Sequence, residues 1–248
     1  MKKLLPVFII FIFLVLGCTS FETVESAKVA PSEIVQNYRI SSAQNRTSVT
    51  AIFYAGGATV DLDAPTRIEL NGKEMSESKP FFMKGTDYHY NSGSFEPTFQ
   101  FAFYTADGKI FRNEISLAPI EIAGRDLSLS RSREIRIQLS RAVAPNESVS
   151  FSLRSQTIEV VSNETGANNF NADSQTTKER YSADGGAHLD AARASFAIEP
   201  SQLEKFALGK AILRIEVSKD ADLQESTGKG GRMYSSYESQ DVEVNIVK

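Results

Sequence analysis

The sequence has little of the chemistry on which many binding and catalytic sites depend. Its 248 residues include one cysteine, two histidines and no tryptophan. A single cysteine excludes an internal disulfide framework and any metal site that needs several cysteines. The absence of tryptophan weakens the case for a carbohydrate-binding protein, because flat aromatic faces do most of the stacking on sugar rings.

The chain also has no strong excess of charge. It carries 27 Lys and Arg against 31 Asp and Glu, which gives a formal net charge of -4 at pH 7. A nucleic-acid-binding protein would need a basic surface, so no nucleic-acid partner is expected. The content of 41% hydrophobic and 23% charged residues is typical of a globular protein, and the length allows one large domain or two small ones.

The longest apolar run lies at the N-terminus. A short cationic start at Met1–Lys3 precedes apolar residues from Leu4 to Leu16, and Gly17 and Cys18 follow. This pattern is typical of a secretory signal peptide, and the run is shorter than the ~20 apolar residues of an ordinary membrane span. The segment Val15-Leu16-Gly17-Cys18 resembles the lipobox of bacterial lipoproteins, with Val at a position where Leu is preferred.

The lipobox resemblance implies a lipid anchor on Cys18. The thiol would receive a diacylglyceryl group, the signal peptide of residues 1–17 would be removed, and the new amine would be acylated, for example with palmitate. Two or three acyl chains hold a protein at a membrane, whereas one chain is a marginal anchor. Thr19 in place of Asp favours the outer membrane under enterobacterial sorting rules. The alternative is an ordinary secretory signal in which the cysteine occurs by chance.

The mature chain reads as a short tether followed by strands. Residues 18–32 are polar without an apolar period and predict a lipidated tether. In residues 33–122, alternating apolar and polar residues predict the strands of a first β-sandwich domain. Phe99, Phe101 and Phe103 share one face of such a strand, and Asn71-Gly72 is a strong hairpin signal.

Residues 123–248 predict a second β-sandwich domain. Its expected strands include alternating runs ending at Leu139, Leu153 and Val217, and a last strand over Tyr237–Val247. A capping box of Ser201 and Glu204 predicts two helical turns over Gln202–Leu208. The polar segments Ser162–Gly186 and Ser218–Ser236 are expected to be long loops, which are often functional or disordered.

The fold class expected is therefore all-β, with two tandem antiparallel β-sandwich domains after a cleaved lipoprotein signal peptide. The strand-turn segments Arg67–Gly72 and Asp107–Asn113 resemble those of bacterial lipoproteins with immunoglobulin-like domains. This resemblance implies an immunoglobulin-like fold and supplies no catalytic residues. Spacing alone leaves a jelly-roll topology open.

Motifs for catalysis and metal binding are weak. His89 lies between two tyrosines and His188 follows a glycine-rich turn, and neither belongs to a recognisable catalytic motif. The acidic residues Asp220, Asp222 and Glu225 lack the spacing of a calcium loop and are more typical of a solvated loop. We therefore expect no catalytic residues, no metal site and no cofactor.

Two groups of residues are candidates for partner binding. Tyr88, His89 and Tyr90 are consecutive, so at least one of them must face outwards from a strand, although most aromatics of this region are expected in the core. Lys229 and Arg232 lie in the second long segment, where sandwich loops often bind partners.

The function expected from these features is that of a lipid-anchored protein of the bacterial cell envelope, with a non-enzymatic binding or structural role. Its expected partners are the membrane, through Cys18, and an envelope protein. The alternative is an enzyme, or an accessory subunit of an enzyme, that acts on envelope material. It predicts a convergent polar pocket with a residue of perturbed pKa, and a histidine within hydrogen-bond reach of both an acid and a serine would favour it.

Overall fold

The computed structural model of the protein describes residues 22–79, 85–124, 126–155, 158–159, 178–179 and 182–248. The strands of the first half are β1 (Thr23–Glu25), β2 (Val35–Ala43), β3 (Arg46–Ala55), β4 (Ala58–Asp61), β5 (Arg67–Leu70), β6 (Lys73–Glu74), β7 (Ser76–Ser78), β8 (Asp87–Ser92), β9 (Thr98–Tyr104) and β10 (Ile110–Ser116). The strands that follow are β11 (Leu127–Ser130), β12 (Ile135–Gln138), β13 (Glu147–Ser155), β14 (Ile158–Glu159), β15 (Lys178–Glu179), β16 (Ser182–Gly186), β17 (His188–Leu189), β18 (Ser195–Ile198), β19 (Gly209–Asp222), β20 (Gly231–Glu238) and β21 (Val242–Val247).

Helical structure is minor in these ranges. Two 3₁₀ turns span Ser26–Lys28 and Pro31–Glu33, and helix α1 spans Pro200–Leu203. Over the described part of the chain, no helix is long and apolar enough to cross a membrane. The signal peptide, Cys18 and most of the polar segment 162–186 lie outside the described residues.

One large sheet runs through both halves of the molecule. Its main path has the order β1-β4-β3-β2-β20-β19-β13-β16, and β7, β8, β11 and β21 join it at the side. A four-stranded sheet, β10-β9-β5-β6, covers the first part of one face, and a three-stranded sheet, β12-β18-β17, covers the second part. The expected all-β class is confirmed. Most strand pairs are antiparallel, but β1–β4, β2–β20 and β11–β21 are parallel.

Aromatic rings fill the core of the first half. Tyr38 stacks on Phe101 with ring centroids 4.2 Å apart, and Phe53 stacks on Phe103 at 4.6 Å. Both pairs join the large sheet to the four-stranded sheet. The expectation that Phe99, Phe101 and Phe103 share a buried face is confirmed, because none of the three is more than 1% exposed.

The second half repeats this layered packing. Phe151 of the large sheet and Phe196 of the three-stranded sheet lie 5.7 Å apart in a separate core. The inward residues of β13 and β19 are buried, as their alternation with polar residues predicts.

The β19–β20 hairpin belongs to both halves. On β20, Met233 is buried in the first core, whereas Tyr237 is buried in the second. The same strand pairs in parallel with β2 from Gln36 to Ala43. A division of the chain into domains at residues 122 and 123 remains a prediction, and this hairpin shows that the two halves share strands.

The prediction of a tether over residues 18–32 is wrong for residues 23–32, because these residues belong to the folded structure. Strand β1 pairs with β4, and Val24 and Val29 pack against the first core. The hydroxyl of Ser26 accepts a hydrogen bond from the backbone N–H of Asp63 at 2.9 Å. Backbone pairing at a sheet edge needs no apolar period, which is why the segment looked unstructured in the sequence.

The bounds and length predicted for the helix, two turns over Gln202–Leu208, are also wrong, because the helix spans Pro200–Leu203. Pro200 occupies the first turn, Glu199 is the N-cap, and the Gln202 side chain accepts the N–H of Glu199 at 2.8 Å. Because proline lacks an N–H, it fits the start of a helix and places the cap before Ser201. The helix then ends at Leu203.

The C-terminal strands differ from the prediction. The single strand expected over Tyr237–Val247 is divided at Ser239, whose hydroxyl accepts the N–H of Ile215 at 3.0 Å. The long loop expected over Ser218–Ser236 is mostly hairpin, and only residues 223–230 connect β19 to β20. The sequence did not indicate these strands, because many of their residues are polar and lie on the solvent-facing side of the sheet.

Candidate functional site

The large sheet has one face on the two cores and the other face in solvent. On β2 and β3, for example, Tyr38 and Phe53 are buried, while Arg39 and Thr50 point the opposite way. The register continues this division through β20, β19 and β13. We call the solvent-facing side the exposed face, and it carries the polar features described below.

A groove of about 520 Å³ lies on the exposed face in the second half. It runs over strands β13, β19 and β20 and reaches Gly186 on β16. Its polar lining consists of Ser150, Ser152, Arg154, Arg214, Glu216 and Glu238. We call this feature the sheet-face groove. Two arginines and two glutamates give the groove charges of both signs. The serine side chains are small and leave the space between these charged residues open.

A charge network holds one wall of the groove in place. The Glu238 carboxylate lies 2.7 Å from Arg46 of β3 and 3.6 Å from Arg214 of β19. Arg214 also donates to Asp241 at 2.7 Å, and this hydrogen bond raises the pKa of its guanidinium above the ordinary value. Glu238 therefore connects a strand of the first half to a strand of the second.

Arg154 differs from Arg214 because its guanidinium has no charged partner among the described residues. Its side chain is exposed and forms no ion pair or hydrogen bond with any residue that the structure describes. An exposed guanidinium beside a groove can bind a carboxylate or a carbonyl oxygen in a forked geometry. Arg154 is therefore the side chain of the groove that is most available to a partner.

A row of serines extends the groove across the sheet. The cross-strand register aligns five serines on the exposed face, namely Ser48, Ser41, Ser236, Ser218 and Ser148. Ser236, at the centre, is only 4% exposed, and its hydroxyl makes no hydrogen bond to a described residue. Hydroxyl groups both donate and accept, so this serine row offers an uncharged polar strip that begins beside Glu216 and Glu238.

A second row beside the serines carries larger side chains. The guanidinium of Arg39 lies 5.5 Å from the ring centroid of Tyr234, and the Tyr234 hydroxyl donates to Glu216 at 3.5 Å. On the same row, His89 lies opposite Thr50. The Tyr234 side chain therefore reaches across the serine row to Glu216.

The residues proposed from the sequence for partner binding do not all lie on the exposed face. His89 and Arg232 do, His89 being half-buried and Arg232 exposed. Tyr88 does not, because it is 5% exposed within the first core. Burial raises the pKa of its phenol, whose oxygen accepts the N–H of Leu62 at 2.6 Å. The expectation that Tyr88 contacts a partner is wrong.

The remaining candidates have structural partners. Tyr90 points to the core side, and its hydroxyl donates to Glu96 at 2.6 Å. Lys229 is exposed at the tip of the β19–β20 connection and lies 3.3 Å from Glu33. Cys18 lies outside the described residues, so its lipidation stays a prediction.

Neither histidine forms the arrangement that would favour an enzyme. His89 lies 3.0 Å from Asp87 and 3.3 Å from Thr50, and Ser76 lies opposite it on β7 without a hydrogen bond between the two side chains. Near His188, Asp190 already accepts the hydroxyl of Ser195 at 2.6 Å and the N–H of Ala194 at 2.9 Å. Among the described residues, neither histidine hydrogen-bonds to both an acid and a serine. The enzymatic alternative gains no support from them.

The acidic residues near the end of β19 are also accounted for. Glu225 accepts the backbone N–H of Arg112 at 2.5 Å and thereby joins the hairpin connection to β10. Over the described ranges, no group of three or more His, Cys, Asp or Glu side chains is placed to hold a metal ion. Glu225 therefore has a structural contact rather than a metal-ligand arrangement with Asp220 and Asp222.

Sequence reasoning did not identify the groove. The sequence did indicate part of the groove lining, because the polar residues of β13 alternate with buried ones; these polar residues are Ser148, Ser150, Ser152 and Arg154. Alternation places them on one face, but it cannot show which distant strands lie alongside. Glu238 and Arg46 are 192 residues apart in sequence and meet only because β20 inserts beside β2.

The comparisons with known proteins establish no family. No protein-family description and no curated protein sequence matches the chain. Among solved structures, the fibronectin(III)-like modules of Clostridium thermocellum CbhA share 8% identity over 86% of this chain and 89% of theirs, with a TM-score of 0.22. The Yersinia pseudotuberculosis adhesin InvE shares 8% identity over 88% of this chain and 60% of its own, with a TM-score of 0.21.

A Salmonella alpha-2-macroglobulin is a third similar structure. It shares 13% identity over 88% of this chain and 15% of its own length, with a TM-score of 0.24. Identities and TM-scores this low assign neither a family nor a function. The layered all-β architecture therefore rests on the strand pairing and the two cores described above.

Proposed function

We propose that the protein is a lipid-anchored component of the bacterial cell envelope with a non-enzymatic binding role, and that it belongs with lipoproteins that carry immunoglobulin-like domains. Cys18 is the proposed site of lipidation, and the outer membrane is the proposed location. The proposed binding surface is the sheet-face groove, and the proposed partner is an envelope protein.

The sheet-face groove is the observation that carries the binding role. Its charged walls are held by contacts between strands, since Glu238 pairs with two arginines and Arg214 is held by Asp241 as well. A preformed site binds without first ordering its own side chains, which lowers the free-energy cost of association. Arg154 is exposed and has no partner among the described residues, so it remains available for new contacts.

The chemistry of the groove favours a protein segment as partner. Both signs of charge lie close together, so a segment with a carboxylate and a cationic group can pair with Arg154 and with Glu216. Complementary charges of this kind contribute chiefly to specificity and to the rate of association. The small side chains of Ser150 and Ser152 leave space in the groove for the backbone of such a segment.

Site-specific photo-crosslinking in living cells tests the binding role. A photoreactive amino acid at Ser152, inside the groove, is expected to give a discrete adduct with an envelope protein. The same amino acid at Glu114, on the outer face of the four-stranded sheet, is the control and is expected to give none. Equal adducts from both positions, or none from Ser152, would contradict the proposal.

Charge reversal then tests whether the groove itself makes the contact. Arg154→Glu is expected to reduce the Ser152 adduct several-fold, because it replaces the exposed cation that lines the groove with an anion. The matched control is Arg112→Glu, which reverses an exposed arginine on the opposite sheet and should leave the adduct unchanged. An adduct that is insensitive to Arg154→Glu would show that the groove charges are not used.

The lipid anchor has its own test. The wild-type protein and Cys18→Ala are compared by membrane fractionation and by intact mass. The wild type is expected in the membrane fraction with the added mass of acyl chains, and the variant is expected to be soluble and without them. An unmodified wild type released from membranes would overturn the anchor while leaving the groove proposal to the crosslinking result.

A further inference from the structure

The point at which the chain enters the folded structure determines how a lipid-anchored protein is oriented relative to its membrane. Strand β1 begins at Thr23, and its register with β4 places Thr23 beside Thr59. Thr59 in turn lies beside Tyr54 of β3, and Tyr54 lies beside Val35 of β2. All of these residues lie at the same end of the large sheet.

That end is the one farthest from the second half of the molecule. Gly231, at the start of β20, pairs with Gln36, whereas Glu238, at the other end of β20, pairs with Ala43. Beyond Glu238, β19 continues into the second core and pairs with β21 down to Gly209. We call the end with Thr23, Gly56, Gly57 and Lys229 the entry end.

The direction of β1 shows that the described chain enters the folded structure at the entry end. Strand β1 is parallel to β4, which starts just after the Gly56–Gly57 turn and runs towards the second half. The carbonyl of Glu22 accepts the N–H of Thr59 at 3.0 Å, so the pairing extends to the first described residue. The described chain therefore enters β1 beside the Gly56–Gly57 turn, at the entry end.

The segment between the proposed anchor and β1 is short. The residues Thr19, Ser20, Phe21 and Glu22 separate Cys18 from Thr23. Five residue steps of extended chain reach at most about 17 Å. A tether of that length cannot lift the body far from the headgroups, and it cannot pass around the body to its other end.

We propose that the entry end faces the lipid headgroups and that the second half points away from the membrane. This orientation rests on the proposed anchor at Cys18. Glu238 lies level with Ala43, eight residue steps along β2 from Val35, which is about 26 Å along a strand. The sheet-face groove is therefore held at least that far above the entry end, where a partner reaches it without competition from the bilayer.

Energy transfer from the protein to a labelled lipid tests this orientation. The only native cysteine is consumed by acylation, so one introduced thiol can be labelled selectively. The acylated protein is placed in vesicles of phosphatidylethanolamine and phosphatidylglycerol that contain a headgroup-labelled acceptor. Lys229→Cys carries the dye at the entry end, and Leu208→Cys, at an exposed position before β19, carries it at the far end.

The 14 residues of β19 separate these two positions by about 46 Å. Transfer is expected to be several-fold higher from Lys229→Cys than from Leu208→Cys. Glu33→Cys and Lys210→Cys form a second pair of exposed positions, in case one variant does not fold. Equal transfer from both ends would show that the molecule lies flat, and higher transfer from the far end would show the reverse orientation; either result overturns the proposal.

Two controls separate this inference from the anchor itself. Flotation of the vesicles shows whether the protein is bound at all, and a protein that fails to float overturns both the anchor and the orientation. A flexible Gly-Ser spacer of about twelve residues inserted before Thr23 is expected to reduce the difference between the two ends, because it frees the body to tumble. A difference that persists unchanged would mean that something other than the short tether orients the protein.

Discussion

At the scale of the residue, Gly231 shows how closely the two halves meet. Its φ of 152° belongs to the region that favours glycine, and a Cβ atom there would lie 1.8 Å from the carbonyl oxygen of Gln36. This oxygen is backbone and cannot move without disturbing the pairing of β2 with β20. The parallel pair therefore depends on the absence of a side chain at one position.

The neighbouring glycine provides a matched comparison. Gly230 has a φ of 71°, but a Cβ there meets no atom within 4 Å. Gly230→Ala is expected to cost about 1–2 kcal/mol of unfolding free energy from backbone strain alone. Gly231→Ala is expected to cost clearly more, because it adds a clash. Urea unfolding of both variants measures the difference, and equal stabilities would contradict the close approach.

Glu147 gives a prediction for pH dependence. It is 8% exposed, and Arg141 donates two hydrogen bonds to its carboxylate at 2.7 and 3.1 Å. Burial disfavours the ionised form, but the hydrogen bonds from Arg141 and from the N–H of Ala144 outweigh it, so the pKa of Glu147 lies below its ordinary value of 4.5. The ionised carboxylate therefore stabilises the folded state.

The stabilisation by Glu147 is complete above its ordinary pKa and is lost as the pH falls through the lower folded pKa. Glu147→Gln is expected to lower the Tm near neutral pH, and the difference from wild type should shrink only below about pH 4.5. Glu243→Gln, an exposed residue paired with Lys210, should follow the wild-type pH profile. A Glu147→Gln difference that stays constant into strong acid would refute the interpretation.

At the scale of the element, side chains rather than a strand close the free edge of β10. The N–H of Glu114 donates to the side-chain oxygen of Gln224 at 2.8 Å, and the N–H of Arg112 donates to Glu225 at 2.5 Å. An unpaired edge strand would expose these groups to other chains. The connection at residues 223–230 therefore protects an edge of the first half.

Hydrogen exchange can resolve the two bonds separately. Gln224→Ala is expected to speed exchange of the Glu114 amide, because its acceptor is removed, while the Arg112 amide stays protected by Glu225. Glu225→Ala is the reciprocal variant and should expose the Arg112 amide. If exchange at Glu114 were unchanged in Gln224→Ala, the edge would be protected by something other than this side chain.

The elements also show which parts of the structure local sequence encodes. Alternation correctly indicated the buried faces of β9, β13 and β19, because a half-buried strand needs an apolar residue at every second position. Alternation did not reveal that β2 and β20 pair, since neither strand has a sequence feature that identifies its distant partner. The serine row was hidden for the same reason: its members come from five strands, and only their register aligns them.

At the scale of the whole molecule, the shared hairpin makes the two halves dependent on each other. Tandem domains joined by a linker would each unfold at their own temperature. Here one strand, β20, supplies Met233 to the first core and Tyr237 to the second. The Tyr237 hydroxyl also donates to Glu121 at 2.5 Å, next to the connection between the halves. Loss of either core removes support from a strand that the other core needs.

Calorimetry of the Cys18→Ala protein is therefore expected to show one transition, with equal calorimetric and van't Hoff enthalpies. Met233→Ala should cost about 2–5 kcal/mol, because it deletes a fully buried side chain, and should lower the temperature of that whole transition. Leu208→Ala, at an exposed position, should leave it unchanged. Two transitions, of which Met233→Ala moves only one, would mean that the halves unfold independently and that the continuous sheet does not couple them.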